Sequence, residues 1–587
     1  MQRYFATLAT IWRLAIPYFR SEDRWAGRLL LAAVVAIELS IVGITVLLNT
    51  WNNVFYNALQ DRNWNAFVYQ LGYFCVLAGI YIVLAVYQLY LNQWLQIRWR
   101  RWMTQRYLDH WLSGANHYRM QLLGDAADNP DQRISEDVTQ FIGGGPGNGA
   151  GILSIGLSLL NSVVTLLSFI VILWRLSAEA PLHVFGIVVD IPGYLLWAAL
   201  IYAVVGTVLT HLIGRALIAL NFQQQRYEAD FRFSLVRVRE NSEQIALLEG
   251  ERAERDRLLV RFGKIVGNWM ALMTRQKKLT FLTAGYSQVS VVFPFIMVSP
   301  AYFAGAMQLG GLMQTANAFG QVQSALSVFI NIYRSLAEWR AVIERLSGFD
   351  QAIASARAAA VTLPVVEVAP GDDTAVTLKD LALRLPNGAP LLTASNVTIL
   401  AGDKVLVTGP SGIGKSTLFR ALAGIWPFGS GTVTVPKGAK VMMLPQRPYF
   451  PIAPLADAVA YPAEPGTFDA AKVSEAVAAV GLPALVSRIE DEAHWNRMLS
   501  LGEQQRLGVA RALLMAPDYL FLDEATASLD EPAEAALYKL LAERLPHTAI
   551  ISIGHRATLA AFHRRKISFN RESGQTRLAE ERLTQSP

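Results

Sequence analysis

The 587-residue sequence contains one cysteine, Cys75, so no intrachain disulfide framework can form and nothing points to an oxidising compartment. Charged residues are also scarce, at 17% of the chain against roughly 25% in an ordinary soluble protein. Combined with 53% hydrophobic residues, that scarcity excludes a disordered or fibrous chain. Beyond about residue 335 no long apolar run occurs, which confines membrane segments to the N-terminal half. The net charge of +6 could suggest a nucleic-acid partner, but no nucleic-acid motif accompanies it. The first 20 residues have no cleavage-like ending, which argues against a signal peptide and for a retained interfacial helix over 4–19.

The N-terminal half contains six apolar stretches long enough to cross a hydrocarbon core of roughly 30 Å as helices. They fall at about 26–50, 67–92, 151–174, 193–213, 280–303 and 311–334. The sixth is interrupted by Gln314, Asn317, Gln321, Gln323, Asn331 and Arg334, as expected of a helix facing a wet cavity. Between spans 4 and 5 lies a basic segment running from Arg215 to Lys278. The short loops after spans 1 and 3 offer only Arg62 and Arg175. The positive-inside bias therefore places the N-terminus, the loops 93–150 and 214–279, and the C-terminal half in the cytoplasm. Both loops have helical patterns, so the membrane helices are expected to continue beyond the bilayer. The expected organisation is a membrane domain over 1–347, a linker over 348–373 and a nucleotide-binding domain over 374–587. The last shows short β-rich runs alternating with helical segments, the pattern of an α/β domain.

Within that domain, the strand-like Lys404–Thr408 leads into Gly409-Pro-Ser411-Gly412-Ile-Gly414-Lys415-Ser416-Thr417 and then a helix. This is a P-loop in its required context. Its glycines let backbone N–H groups wrap phosphates, Lys415 reaches the β- and γ-phosphates, and Ser416 can ligate Mg²⁺. Downstream, an apolar strand ends in Asp523-Glu524. There Asp523 can hold Mg²⁺ through water, and Glu524 can orient or deprotonate an attacking water.

Between these motifs stands Leu499-Ser500-Leu501-Gly502-Glu503-Gln504-Gln505-Arg506, which resembles the signature peptide of ABC ATPases. In the same frame Gln446 resembles the Q-loop glutamine, a further Mg²⁺ contact, Asp530 in Ser528-Leu529-Asp530 resembles the D-loop, and His555 resembles the switch histidine. Two loop motifs in the membrane half, Asn129–Ile134 followed by Glu136-Asp137, and Glu240–Ala246 followed by Glu249-Gly250, resemble those of SbmA/BacA-like transporters and of peroxisomal subfamily D transporters. The resemblance covers nearly the whole chain. It implies an integral membrane α-helical domain of six transmembrane helices, with an ABC exporter-like fold and long cytoplasmic helix extensions, plus a C-terminal α/β P-loop ABC ATPase domain.

The resemblance further implies an ATP- and Mg²⁺-dependent ATP hydrolase coupled to transport in the inner (plasma) membrane. One P-loop and one signature make half a transporter, completed by a second copy whose Ser500, Gly502 and Glu503 meet this chain's ATP. The signature departs from the family pattern at Leu501 and Glu503. The aromatic that usually stacks on adenine is also missing, since the chain reads Arg384-Leu385-Pro386 there. Polar residues at membrane depth, among them Glu38, Asn317, Gln321, Asn331 and Arg334, are candidates for a substrate cavity. The family implies hydrophilic solutes, such as cobalamin, bleomycin-like glycopeptides or peptides, imported into the cytoplasm. The same architecture serves exporters and acyl-CoA or fatty-acid transporters, and a non-transporting ATP-gated regulator would carry the same motifs.

Overall fold

The computed structural model describes residues 2–124, 129–143, 151–179, 182–184, 187–189, 191–362, 364–394, 396–572 and 575–582. The chain forms two compact units, Met1–Leu108 with Asn129–Phe349, and Asp109–Asp128 with Asp350–Pro587.

In the first unit, five helices among the described residues are long and apolar enough to cross a membrane. They begin with Arg24–Gln60 and Trp64–Leu112, continue with Ile152–Glu179, and end with Tyr194–Glu240 and Glu251–Phe303. At 1.5 Å rise, the 47 residues of Tyr194–Glu240 extend about 70 Å, more than twice the hydrocarbon thickness. The helices therefore continue past the bilayer, as the patterning of the loops suggests. The sixth expected span, 311–334, differs. It comprises the 18-residue helix Leu309–Leu326 and the start of a second helix, Val328–Ala359, with Ser327 between them. The glutamines and asparagine in the first piece keep it below the apolarity of a spanning helix, and it is the most enclosed of the set, burying Ala318, Phe319 and Val322.

Several polar side chains inside this unit are paired between helices, while buried Asn92 Oδ1, Trp99 Nε1 and Tyr194 OH have no hydrogen-bond partner among the described residues. Asn49, Asn53, Asn57 and Gln60 recur along one face of Arg24–Gln60 and form an amide ladder with Leu309–Leu326. Asn49 Nδ2 donates to Gln314 O and to Asn317 Oδ1 at 3.1 and 3.0 Å. Asn53 Nδ2 donates to Gln314 Oε1 at 2.6 Å. Asn57 Oδ1 and Gln60 Oε1 accept from Gly310 N and Leu309 N, two amides of the helix's first turn that have no intrahelical partner. Gly310 is required here, because a Cβ would stand 1.9 Å from Asn53 O. Buried Glu38 accepts a hydrogen bond from Asn161 Nδ2 on the neighbouring helix. Buried Asp137, in the loop motif after Asn129, binds Arg133 Nη1 at 2.6 Å and accepts the Nε and Nη2 fork of Arg345. The motif thus clamps its loop to the Val328–Ala359 helix.

The second unit is built on a mixed sheet. Its parallel centre runs Val441–Leu444, Tyr519–Asp523, Ala549–Ile553, Lys404–Thr408 and Arg565–Glu572. The central three, Tyr519–Asp523, Ala549–Ile553 and Lys404–Thr408, are buried on both faces, as a sheet covered on both sides demands. Val405, Val407, Phe521 and Ile551 pack with Leu418 and Phe419 of the P-loop helix, and alternate residues Leu406, Leu520, Leu522 and Ile550 pack with Leu507 and Tyr538. The stretch 348–373 is not a linker throughout. It is helical to Ala359, and Glu367–Gly371 is an edge strand paired with Gly429–Pro436. Residues 109–128, expected in the membrane domain, belong to this unit. Leu122 packs on its core and Arg119 Nη2 donates to Gly424 O, just past the P-loop helix, at 3.2 Å.

His563 is buried behind this sheet, its ring nitrogens 2.7 Å from Leu559 O and 2.9 Å from Ser552 Oγ. Burial lowers its pKa to about 4, so the native state holds it neutral. A depressed pKa contributes stability above the unfolded-state value near 6.5, and that contribution is lost as pH falls toward 4. Thermal unfolding of the ATPase unit is expected to lose up to about 3 kcal/mol across this window. His563→Asn should flatten the dependence; an unchanged slope in the variant would place the titration elsewhere.

Candidate active site

Parallel strands leave their carboxyl-terminal ends on one edge, and the candidate residues emerge there. The P-loop follows Lys404–Thr408, Gln446 follows Val441–Leu444, Asp523-Glu524 closes Tyr519–Asp523, and His555 follows Ala549–Ile553. In the P-loop, Gly409, Gly412 and Gly414 have φ of +154°, +78° and +105°, conformations that side-chain-bearing residues rarely adopt. Gly414 also stands against Leu391, where an added Cβ would approach Cγ to 3.1 Å. Ser411 is exposed, while Thr417 turns into the domain.

Lys415 is buried and its Nζ donates to Gly409 O and Pro410 O at 2.8 and 2.9 Å. Burial lowers its pKa, and the carboxylates of Glu524 and Asp523 act the other way. Ser416 Oγ donates to Asp523 Oδ1 at 2.8 Å. Burial raises the Asp523 pKa, while the Ser416 bond opposes that rise. Glu524, at φ +51°, turns sharply off the strand end. Its carboxylate lies between two partners: Gln446 Nε2 donates to Oε2 at 3.3 Å, and His555 Nε2 is 3.2 Å from Oε1. This is the arrangement of a general base with two orienting groups.

Ser416 Oγ and Asp523 Oδ1 bring hard oxygen donors together, a pair that suits Mg²⁺ with phosphate oxygens, water and the Gln446 amide oxygen as further ligands. When bound, the ion would neutralise charge on the β- and γ-phosphates.

Ser500, Gly502 and Glu503 stand apart. Among the described residues no hydrogen bond joins them to the P-loop, Asp523 or Glu524. Ser500 caps the Leu501–Met515 helix, and Glu503 Oε2 accepts from both Ser500 N and Ser500 Oγ at 2.8 Å. The departure at Glu503 thus completes a capping box. An added Cβ at Gly502 would lie 3.3 Å from Leu529 Cδ2 and 3.5 Å from Ser528 O. Asp530 caps the Glu531–Arg544 helix through Ala533 N at 3.0 Å. Of the cavity candidates, Glu38 and Asn317 are bonded between helices as described above and Gln321 is half-buried. The side chains of Asn331 and Arg334 lie outside the described residues. Where adenine stacking is expected, Arg384 ends a strand and bonds Gly388 O, with Leu385 partly exposed.

Three groups with no assigned role in the motif reading hold the site together. Gln505 is buried; its Nε2 donates to Gln446 O and its Oε1 accepts from Ser528 N, both at 3.0 Å. One side chain therefore links the signature helix, the Q-loop and the D-loop. Buried Arg511 donates to Val459, Tyr449 and Ala458 carbonyls, fixing the segment that follows Gln446. Glu534 accepts from Thr526 Oγ1 and Arg556 Nη1, tying the D-loop to the residue after His555. For Gln505 the local signal is its place within the signature-like peptide, as a polar residue on the buried face of that helix.

Comparison with known proteins places these features in a family. Residues 14–303 match the family model of the ABC transporter transmembrane region 2, and residues 392–527 match that of the ABC transporter. The chain is 34% identical to the Escherichia coli inner membrane ABC transporter ATP-binding protein YddA, over 92% of this chain and 93% of that protein. It is 26% identical to the human lysosomal cobalamin transporter ABCD4, over 80% of this chain and 79% of that protein. The fold is similar to a bacterial Atm1-family ABC exporter with ATP bound, with a TM-score of 0.69 and 18% identity, covering 94% of both chains. The chain belongs to the ABC transporters with fused transmembrane and ATPase domains, related to the D-family half-transporters, which hydrolyse ATP to drive transport.

Gln505→Leu should retain nucleotide binding at the P-loop within about twofold while lowering kcat for ATP about tenfold, since two buried hydrogen bonds are lost. Steady-state ATPase kinetics with a nucleotide-binding titration would test this; an unaltered kcat would remove Gln505 from the coupling of the three loops.

Proposed function

We propose that the chain works as a homodimer in the inner membrane, importing hydrophilic solutes such as cobalamin or peptides at the expense of Mg-ATP. The observation that carries this reading is the division of the site. Lys415, Ser416, Asp523, Glu524, Gln446 and His555 converge on one edge, whereas Ser500 and Gly502 are elsewhere. A γ-phosphate held by the first group leaves the second available to a partner's nucleotide, so two copies form two complete sites. Glu524 would take a proton from the attacking water, with His555 and Gln446 keeping the carboxylate in line. The relatedness to a cobalamin transporter favours a hydrophilic cargo.

Glu524→Gln is expected to lower ATP turnover by about 10²–10⁴-fold with ATP binding retained. Turnover at the wild-type rate would show that another group is the base. In proteoliposomes with the ATPase domains outward, ATP should drive labelled cobalamin or peptide out of the medium containing those domains if the protein exports, and toward it if the protein imports. We expect accumulation on the ATPase side, abolished in Lys415→Ala. ATP-driven flux of acyl-CoA in place of these solutes would overturn the cargo assignment, and the opposite sign of flux would overturn the direction.

A further inference from the structure

A second site lies where the first two spans reach the cytoplasmic face, far in sequence from the ATPase motifs. Glu22 and Asp23 immediately precede the Arg24–Gln60 helix. On Trp64–Leu112, Trp94, Arg98 and the Arg101-Trp102 pair follow one another at helical spacing just beyond the apolar run that ends near residue 92. These six residues line one cleft of about 530 Å³. Its base is fixed. Arg98 Nε donates to Asp23 Oδ2 at 2.9 Å and Nη2 to Oδ1, and Tyr18 OH donates to Asp23 Oδ2 at 3.1 Å. Fully buried Tyr18 is stacked on Trp99, with ring centroids 5.3 Å apart and planes 9° from parallel.

The rim is unfinished. Glu22 and Arg101 are both exposed, both line the cleft, and neither has an ion pair or side-chain hydrogen bond among the described residues, including with each other. The lining contains two cations and two anions, Arg98 and Arg101 against Glu22 and Asp23. A purely anionic ligand would leave Glu22 facing like charge, and a purely cationic one would do the same to Arg101. A ligand carrying both signs satisfies both. Arg101 and the remaining Nη1 of Arg98 suit a phosphate, while Glu22 suits a primary ammonium with its three donors. The exposed indole of Trp94 offers a face to that ammonium, whereas Arg106 already lies over the Trp102 ring at 5.4 Å; both indoles are residue types that favour the headgroup level. Toward the bilayer, Tyr90 and Val86 continue the same row one and two turns away, both exposed and available to acyl chains.

We propose that this cleft binds a phosphoethanolamine headgroup, that of a phosphatidylethanolamine molecule in the cytoplasmic leaflet, with Arg101 on the phosphate and Glu22 on the ammonium. The site anchors the elbow between the N-terminal helix and the first span to the leaflet. It is independent of the transported solute.

The full-length protein, delipidated in detergent, is exposed to equimolar phosphatidylethanolamine and phosphatidylglycerol with matched acyl chains, and retained lipid is measured by native mass spectrometry. Wild type should retain the ethanolamine lipid over the glycerol lipid by about fivefold, the scale of one exposed charge contact. Glu22→Arg gives the cleft net positive charge and should reverse the preference. The double swap Glu22→Arg with Arg101→Glu restores one charge of each sign and should return it. ATP hydrolysis of all variants should stay within about twofold of wild type, showing intact folding. A wild-type lipid ratio in Glu22→Arg would overturn the proposal. Displacement of bound lipid by an equal concentration of soluble glycerophosphoethanolamine would overturn its lipid source, assigning the cleft to a free ligand.

Discussion

The buried charged groups of this protein are held by partners that converge on them, and both units depend on that constraint. Away from water a lone carboxylate or guanidinium costs several kcal/mol, so each buried one fixes the backbone groups that answer it. Asp137 takes two arginines and thereby joins a loop to a helix more than 200 residues later. Arg511 takes three carbonyls and sets the path of the chain after Gln446. Glu534 takes a threonine and an arginine and brings the D-loop beside the histidine loop. Such interactions add little net stability compared with an apolar replacement, but they leave few alternative arrangements. An enzyme whose parts come from four strand ends gains from that restriction.

The same logic reaches the chemistry. Glu524 sits at a strand end in a turned backbone conformation, and its two oxygens are each assigned to one neighbour. Those neighbours belong to the Q-loop and the histidine loop, and Gln505 in turn holds the Q-loop carbonyl and the D-loop amide. Displacement of any one of these loops therefore alters the placement of the Glu524 carboxylate. The signature helix, the Q-loop and the carboxylate of Glu524 are thus connected through hydrogen bonds of ordinary length.

Much of this was legible in the sequence because the informative patterns are local. A P-loop needs only a strand, a glycine-rich turn and a helix in succession, and Asp523-Glu524 needs only the end of an apolar strand. Gln505 was not legible in the same way, since its partners lie 59 and 23 residues away. The edge strand Glu367–Gly371 was read as linker because it is mostly exposed and contains Pro370 and Gly371, which suit an edge and erase the alternation of a central strand. The helix to Ala359 was hidden by an alanine-rich end that resembles a flexible tether. Span six was misjudged in extent for the opposite reason. Its amides are interior bonding groups between helices, and the helix breaks at Ser327 where the apolar count still suggested continuation.

The amide ladder between Arg24–Gln60 and Leu309–Leu326 has a consequence for how this sequence can evolve. Replacing one asparagine with leucine removes its bonds and also orphans the donor or acceptor opposite, in a medium that offers no substitute. A second change on the facing helix would relieve most of that cost, so the effects of the two substitutions would not add. Gly310 tightens the coupling, because any larger residue there would also push Asn53 away. Asn49, Asn53, Asn57, Gly310, Gln314 and Asn317 should therefore drift through homologous sequences as a correlated block, visible as covariation rather than as independent variability.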